Sequence, residues 1–187
     1  MTAAQTSSDA LSLRLLTTDD AEALLELRLR NRDYFRPSEP SRPNGFFTLD
    51  RERDELERGE EDARERRGWI YGMFVGDSAL IGRIALSGVI WGPFANAFLG
   101  YAIDEDHAGR GYATQAVRWV TDAAFEHGLH RVQAAVVLEN AASRRVLEKA
   151  GFRYEGRALR YLNVNGRWQD HDIFAVTVED RDQNARA

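Results

Sequence analysis

Apolar residues follow two different spacings in the first part of the chain. Residues 11–15 alternate leucine with polar or charged side chains, a pattern typical of a strand with one buried face. Between Ala21 and Arg30 the apolar residues recur at helical spacing, which predicts an amphipathic helix. Residues 31–46 carry three prolines and a glycine and are predicted to form a long loop. The highly charged stretch 48–67 predicts either a solvated surface helix or part of a lid or binding wall.

The rest of the sequence predicts a series of strands interrupted by two helices. In chain order these are strands at 69–75, 79–87 and 96–103, a helix over Ala113–Ala124, a strand at 131–137, a helix from Asn140 to Gly151, and strands at 152–164 and 167–178. Short turns at 76–78 and at Asn165–Gly166 join the neighbouring strands, and the Asn-Gly pair is a strong hairpin signal. Asn140 is the expected N-cap of its helix.

This order of elements indicates one domain. A length of 187 residues suits a single domain, and no shift of composition marks a second. We expect the domain to span residues 10–178, with flexible termini at 1–9 and 179–187. Antiparallel hairpins followed by a β-α-β-α unit predict an α/β fold, with a mixed sheet that helices cover on both faces.

Composition excludes several classes of function. The formal net charge of −5 argues against a broad basic surface for direct nucleic-acid binding. The absence of cysteine excludes disulfides, thiolate metal sites and cysteine nucleophiles. His127 and His130 lack a third ligand, so no metal is expected. No apolar run approaches the roughly 20 residues of a membrane-spanning helix, and the first ten residues lack the apolar stretch of a signal peptide, so we expect a cytoplasmic protein without membrane contact.

A glycine-rich turn lies between the strand at 96–103 and the next helix. The stretch HAGRGYATQAV, residues 107–117, places Gly109 and Gly111 one residue apart before an apolar helical stripe. A helix N-terminus presents backbone N–H groups without helical partners, and glycines let an anion approach closely. The stretch is therefore either an ordinary strand-to-helix turn or a phosphate cradle. It lacks the Gly-Lys-Ser/Thr of a Walker loop, and Thr114 breaks the glycine spacing of a dinucleotide site.

Four blocks of the chain resemble the GNAT acetyltransferase superfamily. AGRGYA, residues 108–113, is similar to its pyrophosphate-binding motif Arg/Gln-x-x-Gly-x-Gly/Ala, with Ala108 departing from the usual Arg or Gln. The other three resemble the RimJ/RimL branch, which acetylates the N-termini of ribosomal proteins. They are ENAASRRVLEKAGFRYEG (139–156), EGRALRYLNVNGRWQDHDIFAV (155–176) and RNRDYFRPSEP (30–40), the last with Ser38 where Trp is common. Together the blocks span about residues 10–178.

The resemblance implies both a fold and a cofactor. The fold is a single-domain GNAT fold with a seven-stranded, mixed but mostly antiparallel sheet flanked by helices, its fourth and fifth strands splayed apart. Acetyl-CoA is implied to bind with its pantetheine arm in this gap, where a backbone N–H of the fourth strand would polarise the thioester carbonyl. The implied cofactor-binding residues are Tyr101, Ala102, Ile103, Ala108, Gly109, Arg110, Gly111, Tyr112, Ala113, Thr114, Asn140 and Ser143.

For catalysis, the resemblance implies direct attack of a neutral amine on the thioester. Ser143 is implied to hydrogen-bond or protonate the departing sulfur, and the alternative is that it only serves the helix N-terminus. The base that deprotonates the amine is harder to assign, because Leu162 stands where RimL-type relatives carry a glutamate. The candidates are Glu39 in the proline-rich loop, Asp170 in the last hairpin, or a chain of waters. We expect Glu39, because a functional loop there would face the acceptor.

The expected function is acetyl transfer to a primary amine in a ternary complex. The RimJ/RimL resemblance favours the N-terminal α-amine of a protein, with alanine-starting ribosomal proteins as the implied acceptors. One alternative is a small-molecule amine such as an aminoglycoside, a polyamine or an amino acid, because the acidic segment 39–62 would suit a cation. Another is a non-catalytic acyl-CoA-binding sensor, since Leu162 replaces a carboxylate.

The expected partners are acetyl-CoA and the amine acceptor. Asp170 and Asp172 are expected on one face of their strand, where an acidic surface could recognise the acceptor, with His171 on the other face. The chain is expected to act as a monomer or a homodimer.

Overall fold

One sheet organises the part of the chain that the structure describes. The computed structural model describes residues 10–184 except for 41, 44, 77, 78 and 165. The strands found across these residues are β1 (Leu11–Leu15), β2 (Trp69–Val75), β3 (Ala79–Ile90), β4 (Asn96–Ile103), β5 (Arg131–Val137), β6 (Arg153–Val164) and β7 (Arg167–Thr177). They form a seven-stranded sheet in the order β1-β2-β3-β4-β5-β7-β6.

The helices follow the predicted order with two additions. They are α1 (Ala21–Arg30), α2 (Arg32–Phe35), α3 (Leu49–Arg64), α4 (Tyr112–Glu126), α5 (Ala141–Lys149) and α6 (Val178–Asn184). The predicted long loop thus begins with the short helix α2. The segment from 179 onwards, expected to be flexible, begins in α6, where Glu179 pairs with His130 and Arg181 with Asp122. Residues 1–9 and 185–187 of the expected termini lie outside the described residues.

The sheet is mixed, as the sequence predicts. β4 and β5 run parallel, and the other neighbouring strands run antiparallel. Asp77, Ser78 and Asn165, on which the two predicted turns depend, lie outside the described residues. The strands on either side of these turns pair as hairpins, with Val75 opposite Ala79 and Val164 opposite Arg167.

Helices pack on both faces of the sheet. Along β2, Trp69, Tyr71 and Met73 belong to the core that includes α4, whereas Ile70 and Phe74 contact the core of α1 and α3. This alternation assigns the two cores to opposite faces, because successive strand side chains point in opposite directions. The fully buried apolar side chains of α4 are Ala116, Val117, Val120 and Ala124. Within the described residues, no helix is long and apolar enough to cross a membrane.

The parallel pairing of β4 with β5 ends early. Asn96–Phe98 pairs with Arg131–Gln133, and the register between these two strands stops there. Beyond this point β4 continues alongside β3 as far as Ile103, while β5 continues alongside β7 as far as Val137. The two strands therefore diverge, which confirms the expected gap. Within the described chain, one backbone edge of residues 99–103 is left without a strand partner.

A buried carboxylate ties α1 to the end of β4. Asp104 is 4% exposed and accepts hydrogen bonds from Arg30 Nε at 2.6 Å and from the Asp106 amide at 3.1 Å. Burial by itself raises the pKa of Asp104, but these hydrogen bonds outweigh burial and hold the pKa below its ordinary value. Beside it, the Glu105 amide donates to Asn31 Oδ1 at 2.9 Å. These contacts fix the segment that leads into the glycine-rich turn.

The Asp104→Asn variant should unfold with a free energy lower by about 1–2 kcal/mol at pH 7, because Arg30 loses its anionic partner and one of the two acceptor oxygens becomes an NH2 group. Since the folded pKa of Asp104 lies below the unfolded value, its stabilisation is complete at neutral pH. It should be lost as the pH falls below about 4. Urea unfolding of the wild type and the variant at pH 7 and below about pH 4 checks this. The control is Glu105→Gln, which removes an exposed neighbouring carboxylate. Equal losses of unfolding free energy in the two variants would show that the ion pair between Arg30 and Asp104 adds no more stability than an exposed carboxylate.

Candidate active site

A cleft of about 550 Å³ opens where β4 and β5 diverge. Its walls come from α2 and the turn after it, the end of β4, the glycine-rich turn with the start of α4, and α5. Every expected cofactor-binding residue except Arg110 lines this cleft, and so does the expected base Glu39. Arg110 is exposed and does not line the cleft, and its part in cofactor binding stays a prediction.

The glycine-rich turn leaves open space in front of the N-terminus of α4. Gly109 and Gly111 have φ of +76° and +87°, in the left-handed region that favours glycine. A Cβ on Gly109 would meet nothing within 4 Å, and one on Gly111 would meet only Gln115 Nε2 at 3.9 Å. The Gln115 amide donates to the Gly111 carbonyl at 3.1 Å, so earlier amides have no acceptor inside the helix. The first turn of α4 carries no acidic residue, which keeps this helix end suitable for an anion.

Basic side chains on α5 face the same cleft. Arg145 and Lys149 lie one helical turn apart and both line it. His107, just before the glycine-rich turn, also lines the cleft, and its buried Nδ1 makes no hydrogen bond within the described residues. Sequence reasoning missed all three, although the i, i+4 spacing of Arg145 and Lys149 was visible in a helix already identified. Helix-end amides, two cations and an imidazole suit a ligand that carries several phosphates, which fits coenzyme A.

Ser143 is held by contacts from two elements. Asn140 caps α5, as predicted, with its Oδ1 accepting from the Ser143 amide at 2.9 Å. The Ser143 hydroxyl oxygen lies 2.8 Å from the Tyr101 hydroxyl of β4, which also lies 3.3 Å from the Ser143 carbonyl oxygen. Burial raises the pKa of Tyr101 to about 12, against a smaller lowering by the Ser143 hydrogen bond. The phenol therefore stays protonated at neutral pH.

The acidic residues of β7 have other roles than the expected acceptor surface. Asp172 is 1% exposed and accepts from Arg157 Nε at 2.9 Å and from Arg144 of α5. The hydrogen bond from Arg157 holds the pKa of Asp172 below its ordinary value, despite burial. Asp170 accepts from the Arg160 amide at 2.8 Å, at a bulge of β6, and does not line the cleft. The expectation of an acidic acceptor surface here is wrong, because Asp172 is buried and ion-paired; it anchors α5 to the final hairpin.

Two carboxylates line the cleft, and the sequence analysis named only one of them as a candidate. Glu39, in the turn after α2, is half-buried and its amide donates to the Phe35 carbonyl at 3.1 Å. Glu139, immediately before the Asn140 cap, is exposed at the other wall. Glu39 therefore combines cleft lining with partial shielding from solvent, which suits a proton acceptor.

A group of charges with buried Glu52 at its centre interacts with Glu39, and we name it the Glu52 cluster: Arg28, Glu52, Glu55 and Arg83. Arg28 contacts Glu52 at 3.4 Å and Glu55 at 2.9 Å, and Arg83 contacts Glu55 at 2.7 Å. Burial raises the pKa of Glu52, with Arg28 opposing and Glu55 and Glu39 adding to the rise. Arg83 lies opposite Ala102 in the β3–β4 register, so the cluster adjoins the cleft. Its members come from three elements, and no spacing along the chain predicted it.

The two histidines considered for a metal engage separate partners. The His127 ring stacks on Trp69 with centroids 4.3 Å apart, whereas His130 Nε2 bonds Glu179 at 3.0 Å. Among the residues that the structure describes, no three potential metal ligands come together.

Known proteins match the chain along almost all of its length. The Acetyltransferase (GNAT) domain family matches residues 10–153. The probable N-acetyltransferase YjcK of Bacillus subtilis is 39% identical over 173 residues, which make up 91% of this chain and 96% of that protein. The ribosomal protein uS5-alanine N-acetyltransferase of Escherichia coli is 30% identical over 179 residues, 93% of this chain and 91% of the relative.

Solved structures agree with the sequence matches. The ribosomal-protein-S5-alanine acetyltransferase of Vibrio fischeri superposes with a TM-score of 0.86 at 30% identity, over 91% of this chain and 94% of that one. RimJ of Mycobacterium smegmatis, in complex with CoA-disulfide, gives a TM-score of 0.87 at 30% identity, over 93% of this chain and 85% of that one. The fold thus has its counterpart in a family of acetyl-CoA-dependent enzymes: the chain belongs to the GNAT family and is an N-acetyltransferase.

Proposed function

We propose that this enzyme acetylates the N-terminal α-amine of a protein, and that ribosomal proteins beginning with alanine are its acceptors. The observation that carries the proposal is the open acceptor end of the cleft, where Tyr34, Pro37 and Ser38 are exposed and Glu39 is half-buried. An open entrance admits the end of a polypeptide, whose following residues continue into solvent. The named activity of the Escherichia coli and Vibrio fischeri relatives supports the same acceptor. Such a reaction would take place in the cytoplasm, where ribosomal proteins are made.

In this proposal the cofactor lies along the cleft, with its phosphates at the end away from the acceptor entrance. The amides of Ala113 and Thr114 bind the pyrophosphate at the N-terminus of α4, and Arg145 and Lys149 neutralise phosphate charge from the opposite wall. The unpaired edge of β4, Tyr101–Ile103, supplies backbone groups to the amides of the pantetheine arm. No contact from Ala108 is needed, because backbone amides and the α5 cations replace the missing Arg or Gln.

The proposed chemistry uses Glu39 as the general base. Glu39 takes a proton from the acceptor's ammonium group, and the neutral amine attacks the thioester carbonyl. A backbone N–H of β4 stabilises the negative charge that develops on the carbonyl oxygen. The carbon–sulfur bond breaks as the amide forms, the nitrogen releases its second proton to solvent, and Ser143 hydrogen-bonds the departing thiolate. The thiolate then takes up a proton from solvent. The products are an N-acetylated acceptor and coenzyme A.

Acceptor choice is tested with a panel of amines under equal conditions. We expect kcat/KM to be at least about tenfold higher for peptides beginning with alanine than for spermidine, an aminoglycoside or free amino acids. A peptide with a blocked N-terminus and a free lysine is the matched control and should be inactive. Preference for a small polycation would reassign the site, with Glu39 and the adjoining Glu52 cluster as its cation-binding groups.

The Gly111→Val variant should lose CoA binding by at least about tenfold while still folding, because a branched side chain at positive φ both strains the turn and fills the anion's approach. Gly92→Val is the control: Gly92 has φ +79° and open space like Gly111, but it lies in the β3–β4 turn outside the cleft. Calorimetric titration with CoA and thermal unfolding separate the two effects. If both variants lose stability equally and both retain CoA affinity, the glycine-rich turn is an ordinary turn.

The Glu39→Gln variant should lower kcat/KM about 10²-fold near pH 7, because the acceptor then has to arrive already deprotonated. The loss should shrink as the pH approaches the α-amine pKa of about 8. Glu139→Gln, which removes the other cleft carboxylate, serves as control and should leave the profile unchanged. Measuring kcat/KM across the pH range for each variant tests the assignment of the base. An unaltered rate and profile in Glu39→Gln would rule out Glu39 as the base.

A further inference from the structure

Two hydroxyl groups meet inside the cleft, and their protons are constrained. Tyr101 has one proton to donate, and among the described residues its hydrogen-bond partners are Ser143 Oγ at 2.8 Å and the Ser143 carbonyl at 3.3 Å. The shorter contact favours Oγ as the partner. If Tyr101 donates to Oγ, the Ser143 hydroxyl keeps its own proton available for a different acceptor. If the direction is reversed, that proton is used up on Tyr101.

The surroundings keep Tyr101 protonated and hold Ser143 in place. Tyr101 is largely buried and its pKa is raised to about 12, so it remains a donor throughout the working pH range. The Ser143 amide is held by Asn140, and the next residue, Arg144, is paired with buried Asp172. Ser143 is therefore fixed from three sides, and its half-buried hydroxyl lines the cleft.

We propose that Tyr101 is a positioning residue that directs the Ser143 hydroxyl proton towards the sulfur of coenzyme A. The inference rests on the proposed function for the place of the sulfur, and it assigns to Tyr101 a side-chain role in addition to the backbone role expected from the sequence. The chain of donors runs from Tyr101 O–H to Ser143 Oγ, and from Ser143 O–H to sulfur.

The raised pKa of Tyr101 favours hydrogen bonding over proton donation to the sulfur. A phenol with a pKa of about 12 is a weaker acid than a thiol with a pKa near 8.5, so transferring its proton to the thiolate is unfavourable by about 10³-fold. Both hydroxyls therefore keep their protons and stabilise the negative charge on sulfur by hydrogen bonding alone. The proton that the released thiolate later takes up comes from solvent.

The test compares binding of CoA with binding of desulfo-CoA, which lacks the thiol. Wild-type protein should bind CoA more tightly than desulfo-CoA by about fivefold, in line with one hydrogen bond. Tyr101→Phe and Ser143→Ala should each abolish this preference and leave desulfo-CoA affinity unchanged. Tyr71→Phe is the matched control, because Tyr71 lies in the same row across the sheet, opposite Ile84, which is itself opposite Tyr101.

Kinetics supply the second readout. Tyr101→Phe should lower kcat about tenfold with little change in the KM for acetyl-CoA, and the double variant with Ser143→Ala should be no slower than Ser143→Ala alone. The alkaline limb of the pH–rate profile should be the same in Tyr101→Phe as in the wild type. If Tyr101 donated its proton, this limb would shift in the variant.

Two results would overturn the inference: no preference for CoA over desulfo-CoA in the wild type, or an intact preference in Tyr101→Phe. The binding experiment is independent of the acceptor. If every amine in the panel fails while the thiol preference and its loss persist, the proposed acceptor is wrong and the Tyr101 role stands.

Discussion

The short parallel pairing of β4 with β5 is the constraint on which the rest of the site depends. Because the two strands share only the register Asn96–Phe98 with Arg131–Gln133, the sheet opens towards the ends from which α4 and α5 begin. Each strand keeps its other neighbour, so the opening costs the sheet few hydrogen bonds while exposing a backbone edge of β4 to a ligand. Both helix N-termini then lie beside the same cleft, one at the glycine-rich turn and one at the Asn140 cap.

The cleft has a chemical polarity that matches a two-substrate reaction. In the proposed function, the helix-end amides, Arg145 and Lys149 form the cofactor side, and Glu39 with the neighbouring Glu52 cluster forms the acceptor side. Anionic phosphates and a cationic amine are thereby directed to opposite ends. Between them lie Ser143 and Tyr101, whose geometry is maintained by Asn140 and by the anchoring of α5 through Asp172. The contacts that stabilise α5 therefore also position the groups of the site.

Sequence predicted the features that depend on local chemistry. Alternating leucines and the Asn140 cap gave correct elements, and the family motifs placed Gly111 and Ser143 at a common cleft. It did not predict features created by tertiary packing: the hydroxyl contact between Tyr101 and Ser143 joins residues 42 positions apart, and the Glu52 cluster joins three elements. Asp172 looked like an exposed acidic group because strand alternation says nothing about ion pairs from neighbouring elements.

A crystal structure of the enzyme with coenzyme A tests the central claim most directly. The account predicts pyrophosphate oxygens within hydrogen-bond distance of the Ala113 and Thr114 amides, and pantetheine amides paired with the open edge of β4 at Tyr101–Ile103. It also predicts the sulfur beside Ser143 Oγ, in the gap between β4 and β5. A coenzyme bound only through Arg145 and Lys149, with its pantetheine arm outside the gap, would contradict the claim that the divergence of these strands creates the active site.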